Sequence, residues 1–125
     1  MRHILISAVL SLICTIVFFA TQAPASLDGM IPDDEIFVFT QKRCPHCHTA
    51  EAYLKEAYPD LQVQIKEISR RENMKLFFAC GKKFNLDRSQ MGTPLFCMGD
   101  NYVMGWSPAE QMKFDAYVQK FLPKE

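Results

Sequence analysis

Residues 35–40, Glu35-Ile36-Phe37-Val38-Phe39-Thr40, form a near-continuous apolar run that ends just before Cys44-Pro45-His46-Cys47. A short run rich in aromatic and β-branched residues reads as a strand buried on both faces. Such a strand needs cover on each side, which sets the architecture before any other element is considered. Pro45 suits the first position of a helix, where its missing N–H costs nothing. The spacing of Ala50, Tyr53, Leu54, Ala57 and Tyr58 predicts a helix that Pro59-Asp60 stops.

Leu61, Val63 and Ile65 alternate with polar residues and predict a second strand reaching about Ile68. Ser69-Arg70-Arg71-Glu72 fits a capping box, with Met74, Phe77 and Phe78 on one face of the helix it opens and Gly81 as its C′ residue. Residues 82–92 read as a polar connection. Residues 93–98 predict a strand, Gly99-Asp100-Asn101 a turn, and residues 102–105 a return strand. Ser107-Pro108-Ala109-Glu110 combines a second capping box with Pro at the first helical position. Phe114, Tyr117, Val118, Phe121 and Leu122 then make a helical stripe. The fold class expected is α/β: a right-handed crossover giving a parallel pair, a hairpin adding antiparallel strands, and helices over the faces.

The chain has 125 residues, one domain at most. Its start differs from the rest. A short positive opening (Met1-Arg2-His3), an apolar stretch over residues 4–20 and the Ala23-x-Ala25 pattern predict a secretory signal over residues 1–25, cleaved after Ala25. The alternative is an uncleaved membrane anchor. Residues 26–34 read as an N-terminal arm, leaving residues 35–125 as the domain. The implied location is the periplasm or another exported space. Without Arg2, thirteen basic residues face fourteen acidic ones; no basic stripe is evident, and nucleic acid is not expected as a partner. Cys44, Cys47, Cys80 and Cys97 remain, an even number in an oxidising compartment, too few to replace a core.

The stretch Arg43-Cys44-Pro45-His46-Cys47-His48 has two incompatible chemistries: a redox dithiol as C-x-x-C, or covalent haem attachment as C-x-x-C-H. Residues 36–47, with Lys42 two residues before the first Cys, resemble the opening of glutaredoxins. Residues 92–106, Gly-Thr-Pro followed by an apolar strand, a turn and a Gly-aromatic close, resemble the later signature of the thioredoxin superfamily. The two motifs in the right element order make residues 35–122 resemble that superfamily, in its glutaredoxin-like branch. The Cys-Pro-His-Cys core resembles the periplasmic disulfide-exchange proteins of the Dsb type. The resemblance implies a thioredoxin-like fold with a four-stranded mixed sheet, and thiol–disulfide exchange that requires no cofactor and no metal.

In this reading Cys44 is the exposed nucleophile at a helix N-terminus and Cys47, one turn along, the resolving thiol. Pro45 starts the helix. The helix dipole, Lys42, Arg43 and a protonated His46 stabilise the Cys44 thiolate. Each tenfold stabilisation favours the reduced form by about 1.4 kcal/mol and raises the potential by roughly 30 mV. His46 therefore points to an oxidising or shuffling protein over a strong reductant. Val38 stands where thioredoxins carry a buried Asp, leaving Lys42 or water to take the proton of Cys47. The resemblance makes Pro94 a cis-proline beside the dithiol and gives Thr93 and Lys42 to substrate binding. Glutaredoxins close the fourth strand with Gly-Gly and a polar-Asp pair, whereas this chain has Gly105-Trp106-Ser107-Pro108. Protein or peptide thiols, with a further redox partner, are thus expected in preference to glutathione.

Three other readings compete. Haem would use His48 as an axial ligand with one of several methionines, yet a buried strand directly before the motif is foreign to the largely helical small cytochromes. Zinc would draw on Cys44, Cys47, His48 and Cys80 or Cys97. A non-catalytic assembly or chaperone domain would keep the fold alone. Cys80 and Cys97 admit a second disulfide, two buried apolar groups, or an electron relay to Cys47.

Overall fold

In a computed structural model of the protein, residues 30–124 are described; the expected signal segment, residues 1–25, lies outside them. The apolar run is strand β1 (Ile36–Thr40), and all five of its residues are buried. The reason is its place in the sheet. β1 lies between β2 (Val63–Glu67), to which it is parallel, and β3 (Leu95–Met98), to which it is antiparallel. β4 (Asn101–Met104) returns antiparallel to β3, giving the order β2-β1-β3-β4.

Alternate residues of β1 and β3 serve two cores. On one face Ile36, Val38, Phe96 and Met98 pack with Ala50 and Leu54 of helix α1 (Pro45–Ala57) and with Phe114 of helix α3 (Pro108–Tyr117). On the other, Phe37, Phe39 and Leu95 pack with Phe77, Ala79 and Cys80 of helix α2 (Arg71–Lys83). Burying the four apolar side chains of β1 contributes on the order of 6–12 kcal/mol. Single-turn 3₁₀ segments occupy Arg88–Gln90 and Val118–Phe121. The described end of the N-terminal arm joins the second core through Ile31, and Asp33 pairs with Lys83. No helix among the described residues is long and apolar enough to cross a membrane.

Four local expectations are corrected. Gly81 does not end α2: it is buried inside the helix, where a Cβ would lie 2.5 Å from Met91 Sδ. The helix runs on to Lys83 and closes in a Schellman motif with Asn85 (φ 55) at C′: Asn85 N–H donates to Lys82 O and Leu86 N–H to Gly81 O. The capping box at Ser69 does not form, because the Ser69 hydroxyl and N–H both turn back to the Glu67 carboxylate and Arg70 becomes the N-cap. At α3, Ser107 is the N-cap and Pro108 follows as expected, yet the Ser107 hydroxyl bonds the Glu110 side chain and not the backbone. Finally, Ile65 is 50% exposed. β2 is an edge strand; Leu61 and Val63 pack against the α1 core, while Ile65 is left in an open groove beside α1.

Candidate functional site

The loop after β1 hands the chain to α1 at Cys44, which is the N-cap in extended conformation (φ −119°, ψ 97°). Pro45 supplies the first helical residue, and Cys47 falls one turn in. This places both sulfurs on one side of the helix tip, and they are joined: S–S 2.17 Å, Cα–Cα 5.2 Å. Cys47 N–H donates to Cys44 Sγ at 3.2 Å. That amide is one of the donors a helix start leaves without an intrahelical partner, and it is aimed at the atom that becomes a thiolate on reduction.

Cys44 departs from the expected open exposure. It is 8% accessible, against 1% for Cys47. The cover is Thr93, whose Oγ1 donates to Cys44 Sγ at 3.5 Å and whose carbonyl oxygen lies 3.6 Å away. The Thr93–Pro94 peptide bond is cis, and Pro94 is buried. Gly105 N–H donates to Pro94 O at 2.8 Å, so the residue that follows β4 is tied to the same loop. On the opposite side Gly92 N–H donates to Met104 Sδ at 3.4 Å. Thr93 and Pro94 are thus brought against the dithiol from a site 49 residues along the chain.

Lys42, Arg43 and His46 are exposed around the sulfurs. His48, expected as a solvent-facing early helix residue, is exposed, and its Nε2 lies 3.0 Å from Lys42 O. The imidazole therefore fastens the loop carrying Lys42 and Arg43 to the first turn of α1. The only sequence signal for that tie is the His directly after the second Cys. Val38 is fully buried in the apolar core, with no carboxylate at that place in β1.

Cys80 and Cys97 form a second disulfide, Cα–Cα 6.2 Å, joining α2 to β3 on the other side of the sheet from α1. Both are fully buried. A further cluster clamps α1 to α3. Tyr53 donates to both carboxylate oxygens of Asp115 at 2.7 and 2.9 Å, and Tyr58 donates to Oδ1 at 2.7 Å. Desolvation and then the Asp115 bond push the Tyr58 phenol far above its usual range; for Tyr53 the Asp115 bond is the larger cause of a rise. The helical spacing of Tyr53 and Tyr58 did not reveal this contact, since Asp115 lies more than fifty residues away in sequence.

No protein-family model matches the sequence, and no curated protein matches it. Among solved structures the chain is similar to a glutaredoxin from Archaeoglobus fulgidus, at TM-score 0.53 and 18% identity, over 79% of this chain and 98% of that one. A buckwheat glutaredoxin–glutathione complex aligns at TM-score 0.48 and 16% identity, over 70% of this chain and 74% of the other. At such identity the likeness is one of fold: a four-stranded mixed sheet with helices on both faces, glutaredoxin- and thioredoxin-like.

Proposed function

We propose that this glutaredoxin-like fold is a thiol–disulfide oxidoreductase that exchanges disulfides with protein or peptide thiols through Cys44 and Cys47. The observation that carries the reading is the Cys44–Cys47 bond at the N-terminus of α1, with a backbone N–H on Cys44 Sγ and the Thr93–Pro94 loop alongside. In the oxidising direction a substrate thiolate attacks Cys44, the more accessible sulfur. The Cys44–Cys47 bond breaks, and its electron pair leaves on Cys47, which takes a proton. A second substrate thiolate then attacks the substrate sulfur of the mixed disulfide and expels Cys44 as a thiolate, held by the Cys47 N–H and the helix terminus. The substrate has lost two electrons and gained a disulfide, and a separate redox partner must reoxidise the dithiol. Reduction of a substrate disulfide is the same sequence reversed.

Thr93 and Pro94 dock the substrate backbone in this reading, while Lys42, Arg43 and His46 tune the thiolate. Peptide and protein thiols are favoured over glutathione. The residues after β4, Gly105-Trp106-Ser107-Pro108, depart from the Gly-Gly and polar-Asp pattern of glutaredoxins. The haem reading asks for both sulfurs and an imidazole nitrogen of His48. Here the sulfurs bond one another and His48 Nε2 sits on Lys42 O.

Export belongs to the same proposal, with residues 1–25 as signal or anchor. The buried Cys80–Cys97 bond supports it, since disulfides persist in oxidising compartments. The deciding experiment is disulfide reduction or shuffling in a multi-cysteine protein by the wild type and by Cys44→Ala. Activity that survives in the variant would rule out the mechanism. The reduction potential of the Cys44–Cys47 pair then assigns the direction, near DsbA for an oxidant and near thioredoxin for a reductant.

A further inference from the structure

The segment that covers Cys44 is held in place by sulfur of another kind. Residues 91–94, Met-Gly-Thr-Pro, run from the 3₁₀ turn at Arg88–Gln90 to the start of β3. Toward α2, the Met91 thioether lies over the bare backbone of Gly81, where a Cβ would meet Met91 Sδ at 2.5 Å and Cε at 2.7 Å. Toward β4, Gly92 N–H donates to the sulfur of Met104, the last residue of that strand, at 3.4 Å. Thr93 follows directly, with its hydroxyl and its carbonyl oxygen on Cys44 Sγ. Two thioethers thus help to set where Thr93 stands. Both methionines border the second core and are half-buried, so each keeps some surface that a small solute reaches. Met98 of β3 has none, while Met30 and Met112 are open at 39% and 72%.

A thioether is a weak hydrogen-bond acceptor and an oxidisable one. A peroxide gives it one oxygen atom. The O–O bond breaks, the sulfur gives up two electrons and becomes a sulfoxide, and the peroxide leaves as water or an alcohol. At Met104 a sulfoxide oxygen turned to Gly92 would have to keep about 2.7–3.2 Å from the amide nitrogen. The sulfur would then stand a further bond length away, beyond its present 3.4 Å, and the two segments part. At Met91 the new oxygen would lie against the interior of α2, where the Gly81 amide already serves the helix. With both cystines closed, no cysteine among the described residues competes for the peroxide.

We propose that Met91 and Met104 form an oxidation site: sulfoxidation by a peroxide withdraws Gly92 and Thr93 from Cys44 and slows thiol–disulfide exchange. Thiol-driven sulfoxide reduction reverses it, two thiols becoming a disulfide while the oxygen leaves as water. The proposal rests on the exchange reading and adds a control on the loop that docks the substrate.

The test treats the full protein, with both disulfides closed and free thiols alkylated, with hydrogen peroxide for graded times. Peptide mass mapping gives the sulfoxide at each methionine, and exchange with a single-cysteine peptide gives the rate. The expected loss is at least about tenfold, since displacing a positioning group by about 1 Å costs up to about 100-fold. It should follow occupancy at Met91 and Met104, and ignore Met30 and Met112. Methionine sulfoxide reductase, followed by reclosure of the dithiol, should restore the rate. Met91→Leu/Met104→Leu should change by less than about twofold relative to its own untreated rate, having no thioether at either place. Met30→Leu/Met112→Leu should lose as much as the wild type. Full activity in wild type carrying both sulfoxides, an equal loss in Met91→Leu/Met104→Leu, a loss the reductase does not reverse, or sulfoxides confined to Met30 and Met112 would each overturn the proposal. The exchange reading would survive them all. The wild-type time course decides the matter even where the double leucine variant does not fold. An untreated protein that exchanges nothing overturns the exchange reading instead.

Discussion

Cys44 and Cys47 lie three residues apart at the tip of a helix, whereas Cys80 and Cys97 lie 17 apart and join α2 to the strand beneath it. The first pair has an amide aimed at one sulfur, charged residues around it and a residual opening to solvent. The second is sealed among Phe39, Phe77 and Leu95 with no accessible surface. Thiol–disulfide exchange needs a thiolate to approach in line with the sulfur–sulfur bond, and only the first pair allows it without unfolding. Chain entropy points the same way. Closing a loop of about 15 residues stabilises by about 3 kcal/mol, and the shorter closure by under about 2 kcal/mol. One bond is placed to be made and broken, the other to keep the sheet and helix together while that happens. The lesson is that burial and loop length, more than the bond itself, divide the labour between two cystines in one small domain.

The largest expected effect separates them by activity. Cys44→Ser should reduce exchange to the uncatalysed background while lowering the melting temperature by less than loss of the second pair does, as followed by circular dichroism. The reverse pattern is expected for Cys80→Ala/Cys97→Ala. Losing about 3 kcal/mol should lower Tm by roughly 12–24 °C in a domain of this size. The folded protein should still exchange disulfides at low temperature. Comparison under graded reductant gives a sharper reading: mass spectrometry after alkylation should show two labels, on Cys44 and Cys47, well before four. Simultaneous labelling of all four would abolish the distinction.

A smaller effect tests whether α1 also needs its clamp to α3. Tyr58→Phe removes a bond to the Asp115 carboxylate and should cost about 1–2 kcal/mol in urea unfolding. The pH dependence has a definite sign. Burial and Asp115 hold the Tyr58 phenol above its ordinary pKa in the folded state, so its contribution is fully present below about pH 10 and declines as pH rises beyond it. The variant should therefore show a flatter alkaline limb; an unchanged limb would remove this clamp from the account. Least of all is expected from Gly81→Ala. A helical Gly costs about 1 kcal/mol relative to Ala, and the displaced Met91 thioether offsets that gain, leaving a net change under about 1 kcal/mol.

Much of this was legible in the sequence, for reasons that can be named. β1 announced itself because an interior strand has no solvent face on which to place a polar residue. Gly99-Asp100-Asn101 marked the β3–β4 turn, with Gly99 at φ 65. Cys44, Cys47 and Pro45 fixed the start of α1 through spacing alone. What spacing could not carry was contact between distant segments. Gly81 looks like a helix end until Met91 is seen lying over it. Ser69 looks like a cap until Glu67 competes for it. Cys44 looks open until Thr93 covers it, and Tyr58 looks like plain core until Asp115 arrives from α3. Apart from Ser69, whose competitor stands two residues away, each miss is a case where a tertiary neighbour overrode a local rule.

The double-sided burial of β1 has one more implication, for anyone who would re-engineer the molecule. A strand that forms the common wall of two compartments serves each with alternate residues: truncating Val38 opens a gap against α1 and α3, and truncating Phe39 one against α2. Lys42, Arg43 and His46 follow the end of that wall and face water. The chemistry is thus adjustable without repacking either core: Lys42, Arg43 and His46 can be varied while the frame beneath them stays fixed.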